Sequence, residues 1–188
     1  DIPLVQFLDA SFAVRHGEER HPLTRPVGDS LARFGAGLLP VDYAPASASS
    51  PILNYPYERT RAALDRLRRT AEWDACHGIK LRYVNPANGD FPLPTIGAYM
   101  QLLPAGFDSI PYRATDATVF AVVEGRGRTV IGDTSIDWQP RDIFVVPSWR
   151  WHRHATAGDA VLFSFSDRPV QQKLGLWREE RGNQSTAR

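Results

Sequence analysis

His152-Arg153-His154 is the pair whose residue types and spacing most directly offer chemistry in this sequence. Side chains alternate faces along an extended strand, so histidines one residue apart turn both imidazoles the same way. Two imidazoles can begin a site for a divalent transition metal, but a stable site needs a third or fourth donor. His16, His21 and His77 stand at no spacing that would supply it. A lone buried histidine is more often a hydrogen-bonded core residue than a ligand. Cys76 is the only cysteine, which excludes an intramolecular disulfide framework and fits a reducing cytoplasm. No Cys/His nucleophile arrangement and no Gly-x-Ser-x-Gly elbow occurs. Gly125-Arg126-Gly127 is followed by neither a third glycine at the required offset nor Lys-Ser/Thr, so it reads as a hairpin turn rather than a phosphate cradle.

The elements that must position these residues change character along the chain. Residues 1–56 carry seven prolines and the small-residue stretch Ala44-Pro45-Ala46-Ser47-Ala48-Ser49-Ser50. Proline fixes φ and removes amide donors, so this segment reads as an extended arm or linker. Phe7, Phe12, Phe34, Tyr43 and Tyr55 within it predict that it lies against another surface. Residues 58–73 read as a helix: Leu64, Leu67 and Ala71 share one face, the arginines form a solvated face, and Gly78 is the expected stop. From Ile79 onward, short strands are predicted at 79–84, 95–103, 117–123, 127–131, 135–138, 143–146 and 160–165. Segment 117–123 is apolar on both faces, so something must cover its outer side. A helix starting near Pro169 would present Val170, Leu174 and Trp177.

Composition narrows the function class. The 188 residues suit one core-bearing domain with an appendage. A net charge of +1, with arginines spread among the acids, argues against a nucleic-acid partner. No apolar run is long enough for a transmembrane helix. The start at Asp1-Ile2-Pro3, with no Met and no basic n-region, leads us to expect a chain that begins inside a longer polypeptide and resides in the cytoplasm.

The stretch from Gly106 to Thr156 carries a further pattern. A cupin has two motifs, G-x5-H-x-H-x(3,4)-E-x6-G and G-x5-P-x-G-x2-H-x3-N. Gly106, Tyr112, Ala114, Thr118 and Gly125 fall at the spacing of the first. Arg141, Pro147, Trp149, His152 and Thr156 fall at that of the second. The spacing resembles a cupin: an all-β jelly-roll barrel (double-stranded β-helix), here with an extended N-terminal arm and flanking short helices. The expected organisation is an arm or linker at 1–56, a helical segment at 57–78, a barrel with C-terminal helix at 79–181, and a tail at 182–188. The ligand positions hold Tyr112, Ala114 and His152, and Thr118 replaces the glutamate. One imidazole does not hold a catalytic ion, so neither a metal site nor a catalytic residue is expected in this chain.

Longer blocks resemble a particular family. Leu81-Arg82-Tyr83-Val84-Asn85-Pro86, Pro94-Thr95-Ile96-Gly97, Asp142-Ile143-Phe144-Val145-Val146-Pro147-Ser148-Trp149, Phe163-Ser164-Phe165-Ser166-Asp167-Arg168-Pro169-Val170 and Leu174-Gly175-Leu176-Trp177-Arg178-Glu179-Glu180 look like the second half of gentisate 1,2-dioxygenase. Salicylate 1,2-dioxygenase and 1-hydroxy-2-naphthoate dioxygenase are its relatives. The resemblance implies a two-cupin oxidoreductase of aromatic-acid catabolism that opens the ring of gentisate with O2 to give maleylpyruvate. Its Fe(II) would sit in the first cupin on three histidines. This chain would then be the C-terminal, metal-free cupin, partnered by the N-terminal catalytic cupin and assembled as a homo-oligomer. Two alternatives remain open. One is an enzyme with a nonstandard site around Tyr112, His152 and His154. The other is a metal-independent pocket for a small aromatic acid, drawn from Tyr112, Arg113, Trp151, His152 and His154, with Arg113 or Arg150 pairing with the carboxylate.

Overall fold

Apolar side chains at alternate positions along the strands after residue 79 can be buried only by a second sheet facing the first. The computed structural model, which describes residues 25–44, 48–52 and 54–183, contains that arrangement. One antiparallel sheet has the order β1 (Ile79–Arg82), β2 (Gly97–Leu103), β9 (Ala160–Ser166), β4 (Thr118–Glu124), β7 (Ile143–Val146). The other runs β10 (Glu179–Arg181), β3 (Tyr112–Ala114), β8 (His152–Ala155), β5 (Gly127–Ile131), β6 (Thr134–Trp138). This is the jelly-roll expected from the motif spacing. Between the sheets, Leu103, Phe120, Val122, Trp138, Phe144, Val146, Ala160 and Leu162 form the core, with the Phe120 and Phe144 rings stacked at 5.1 Å.

Among the described residues three helices flank the barrel: α1 (Asp29–Phe34), α2 (Tyr57–Thr70) and α3 (Arg168–Lys173). Fully buried Leu64 of α2 packs with Ile79, Met100, Leu102 and Val161 on the outer face of the first sheet. Burial of one such side chain is worth about 1.5–3 kcal/mol. Val123 and Phe163 join this cluster, so α2 supplies part of the outer cover expected over segment 117–123. Farther along that face, Ile143 and Val145 of the edge strand stay 70% and 50% exposed.

Several expectations need correction. The helix predicted over 58–73 stops at Thr70, because Ala71 turns extended and the Trp73 indole donates to the Arg68 carbonyl instead. Its arginines are not all solvated. Arg61 pairs with Asp65 and Glu124, and Arg68 pairs with Asp159 on the barrel. The helix near Pro169 ends before Leu174 and Trp177. Gly175 takes a left-handed φ of 70°, a conformation that terminates helices. The chain then pairs with β3 as a strand the sequence had not announced. Within the arm, Phe34 and Tyr43 pack edge to face, Tyr55 meets Tyr83, and α1 adds a short helix closed by an Asp29–Arg33 ion pair. Phe7, Phe12, His16, His21 and the tail beyond residue 183 lie outside the described residues.

Candidate functional site

Strand alternation decides what lines the open end of the barrel. On β1, Ile79 and Leu81 pack beneath α2, which sends Lys80 and Arg82 to the other face. Across the β1–β2 register, Lys80 lies opposite Gln101 and Arg82 opposite Tyr99. A cavity of about 320 Å³ opens there, lined by Lys80, Tyr99, Tyr112, Asp116 and Arg168 among others. α3 contributes Arg168, and β10 contributes Glu179 and Arg181.

Behind the mouth four rings stand in succession. His77 contacts Tyr112 at 4.4 Å, Tyr112 contacts His152 at 5.6 Å, and His152 contacts His154 at 5.3 Å, each edge to face. His152 and His154 are both buried, as period-two alternation on β8 requires. The Trp138 indole donates to Thr129 Oγ1, which lies 2.8 Å from His154 Nδ1. The Thr129 hydroxyl thus links the indole to the His154 ring, with the direction of the Thr129–His154 bond set by the imidazole tautomer.

Burial, reinforced by Lys80, pushes the pKa of His77 and His154 well below the ordinary imidazole value. Burial is also the main cause that brings His152 down to about 4. All three rings are therefore neutral at pH 7. Burial pushes the Lys80 ammonium down to about 8, with Asp116 opposing the shift, so it remains largely charged at pH 7. Burial and a hydrogen bond to Glu179 raise Tyr112 and keep its phenol protonated.

Comparison with known proteins fits this geometry. The Cupin domain family model matches residues 98–165. The chain is 55% identical over 181 residues to gentisate 1,2 dioxygenase 1 of Aquipseudomonas alcaligenes, covering 96% of this chain and 52% of that protein. It is 38% identical over 183 residues to 5-aminosalicylate 1,2-dioxygenase of Comamonas sp, covering 96% of this chain and 48% of that protein. Salicylate 1,2-dioxygenase from Pseudaminobacter salicylatoxidans superposes with a TM-score of 0.82 at 29% identity, over 98% of this chain and 54% of the other. The chain is a cupin of the gentisate 1,2-dioxygenase family. It spans about half the length of the curated relatives it matches.

The resemblance implies Fe(II) for the family, and the residues of this gentisate-dioxygenase-type cupin do not fit that ion. Ala114 offers no donor atom. Tyr112 gives its hydroxyl hydrogen to Glu179 at 2.8 Å. Among the described residues no three His, Cys, Asp or Glu side chains are arranged to hold a metal. Lys80 adds a fixed positive charge to the same cavity, which a divalent cation would have to oppose.

The structure brings Tyr112, His152 and His154 together but separates the rest of the expected pocket. Arg113 points away from the barrel interior. It pairs with Glu180, and its guanidinium lies 4.4 Å from the Trp149 ring and 4.5 Å from the Trp151 ring. Arg150 is exposed. Sequence reasoning missed His77, Lys80, Asp116, Arg168, Glu179 and Arg181. Only Lys80 left a signal, as an ionisable residue between the apolar Ile79 and Leu81 of a strand.

Proposed function

We propose that this chain is the metal-free, structural C-terminal cupin of a two-cupin dioxygenase that opens the ring of gentisate or a closely related hydroxylated aromatic acid. The Fe(II) of such an enzyme would be held by three histidines of an N-terminal cupin. The observation that carries the reading is the lost ligand set: Tyr112 and Ala114 stand at the two positions of the histidine pair, in a chain otherwise 55% identical to half of a gentisate 1,2-dioxygenase. A barrel that does not hold the ion retains the work of packing on the catalytic cupin and building the oligomer. Ile143 and Val145, exposed on the outer face of the edge strand, support that role.

The test compares the chain alone with the chain produced together with the cupin encoded upstream of it. Alone, with Fe(II), O2 and gentisate supplied, it is expected to hold far less than one iron and to form no ring-opened product by absorbance. Joined to the catalytic cupin, it is expected to support turnover, and light scattering is expected to show an oligomer. Stoichiometric iron lost in His152→Ala, or turnover by the chain alone, would overturn the reading.

A further inference from the structure

The chain has two lysines, Lys173 on α3 and Lys80 on β1, and only Lys80 turns its amine into the barrel. A lysine is rarely drawn into a protein interior without a partner, because its ammonium gives up water. Lys80 nevertheless forms no ion pair among the described residues. Its ammonium meets the rings of Tyr99, at 5.0 Å, and Phe120, at 5.9 Å. The side chain is only partly covered, so the cavity of about 320 Å³ connects it with solvent.

Two neighbouring charges act on Lys80. Asp116 favours its ammonium, and the Arg168 guanidinium of α3 disfavours it. One ring steadies both, since the Trp177 indole donates to Asp116 at 2.8 Å and lies 3.8 Å from the Arg168 guanidinium. Desolvation and a nearby cation are two means by which a lysine becomes a nucleophile, because each favours the free amine. Burial is the main cause that brings Lys80 to about 8 from an ordinary 10.5, with Asp116 opposing the shift and Arg168 adding to it.

We propose that Lys80 captures short aldehydes at the barrel mouth as a Schiff base. Lys80 Nζ attacks the carbonyl carbon and a C–N bond forms. The carbonyl oxygen takes two of the ammonium's three protons and leaves as water into the open cavity. Ammonium and aldehyde thus become protonated imine and water, with nothing oxidised or reduced and the positive charge kept. That conservation of charge is what selects carbonyl chemistry here. The imine presents to Asp116 the same cation that the ammonium did, whereas acylation would remove it and addition of CO2 would replace it with an anion. The Tyr99 and Phe120 rings crowd the amine, which favours a carbonyl carbon bearing hydrogen on one side, as in an aldehyde, over a ketone. Arg82, Asp116, Glu179 and Arg181 make the remaining wall polar, which suits a short chain and not a long apolar one. The capture goes beyond the structural role proposed above and does not depend on it.

The test treats the 188-residue chain with propanal and sodium cyanoborohydride at pH 7. The hydride reduces a protonated imine to a stable secondary amine, which peptide mass spectrometry assigns to Lys80 or Lys173. Lys80 is expected to be propylated about tenfold faster than Lys173 or more, and the preference is expected to vanish in urea. With acetone in place of propanal, the preference is expected to fall toward one. Arg168→Gln removes the neighbouring cation and is expected to slow labelling of Lys80 several-fold while leaving Lys173 unchanged. The proposal is overturned if Lys80 in the folded chain reacts no faster than Lys173, if acetone gives the same preference, or if a folded Arg168→Gln variant labels Lys80 at the original rate. Should that variant not fold, the two rates in the unaltered chain, with and without urea, decide the matter by themselves.

Discussion

Tyr112 donates its phenolic hydrogen to Glu179 at 2.8 Å, and this contact closes the position from which a metal-binding barrel would present an imidazole. Strand β10 makes it possible, because its register sets Glu179 opposite Ala114 and Arg181 opposite Tyr112. Alternation on β3 buries Tyr112 and Ala114 together, so the two lost ligand positions share one face with His152 across the β3–β8 pair. Tyr112, Ala114 and His152 are therefore buried together on the interior side of this sheet.

Restoring the donors should restore the metal, within a limit set by charge. Tyr112→His with Ala114→His would give three imidazoles with His152, a set that suits a first-row divalent ion. Lys80 would still oppose the ion, so the double variant is expected to bind Co(II) weakly. Adding Lys80→Met is expected to tighten binding about tenfold or more. Co(II) absorbance titrations provide the measurement. Equal affinity with and without Lys80 would show that its charge does not govern the cavity.

A second prediction comes from backbone strain. Arg141 and Trp149 have φ of 81° and 60° at the two places where the second cupin motif has glycine. A left-handed conformation costs a residue with a Cβ about 1–2 kcal/mol. Arg141 is exposed, and among the described residues it makes no ion pair, so its side chain contributes little in return. Arg141→Gly is therefore expected to stabilise the chain by about 1 kcal/mol in urea unfolding. Trp149→Gly is expected to gain less, because the Trp149 ring also covers Arg113. An unchanged or lower midpoint for Arg141→Gly would contradict the strain argument.

Those two positions also show how much was legible in the sequence. Motif spacing located the turns even where glycine had been replaced, because spacing is fixed by strand length and register rather than by the side chain in the turn. Most long strands followed from apolar alternation. Strands β3, β8 and β10 were not predicted as elements, since three or four residues rich in Tyr, Arg, His and Glu carry no hydrophobic period. They are nevertheless the strands that carry Tyr112, His152, His154 and Glu179. His77 showed no useful spacing because its neighbours in the site come from β3 and β8, 35 or more residues away in the chain. Glu179 reaches the cavity because Gly175 ends α3 and lets the chain return as β10.

The last prediction concerns acid. His152 is buried with its pKa lowered to about 4, against an ordinary value of 6.5. Between these values the unfolded chain takes up a proton that the folded chain refuses, so stability falls as pH drops from 6.5 toward 4 and the effect levels off below 4. A gap of that size corresponds to about 3 kcal/mol. His77 and His154, lowered by the same burial, act in the same direction. Lys80 has the same sign in another window, with stability rising as pH increases from about 8 to 10.5. Lowered carboxyl groups such as Asp74 add their loss only below 3.8, outside the histidine window. Urea unfolding from pH 7.5 to 4.5 is expected to show a steep acid loss in the natural sequence. In His152→Phe, whose ring can keep the contacts with Tyr112 and Phe120, that loss is expected to shrink by about 2–3 kcal/mol. Parallel pH profiles for the two proteins would mean that His152 titrates normally and that water reaches it through the barrel mouth.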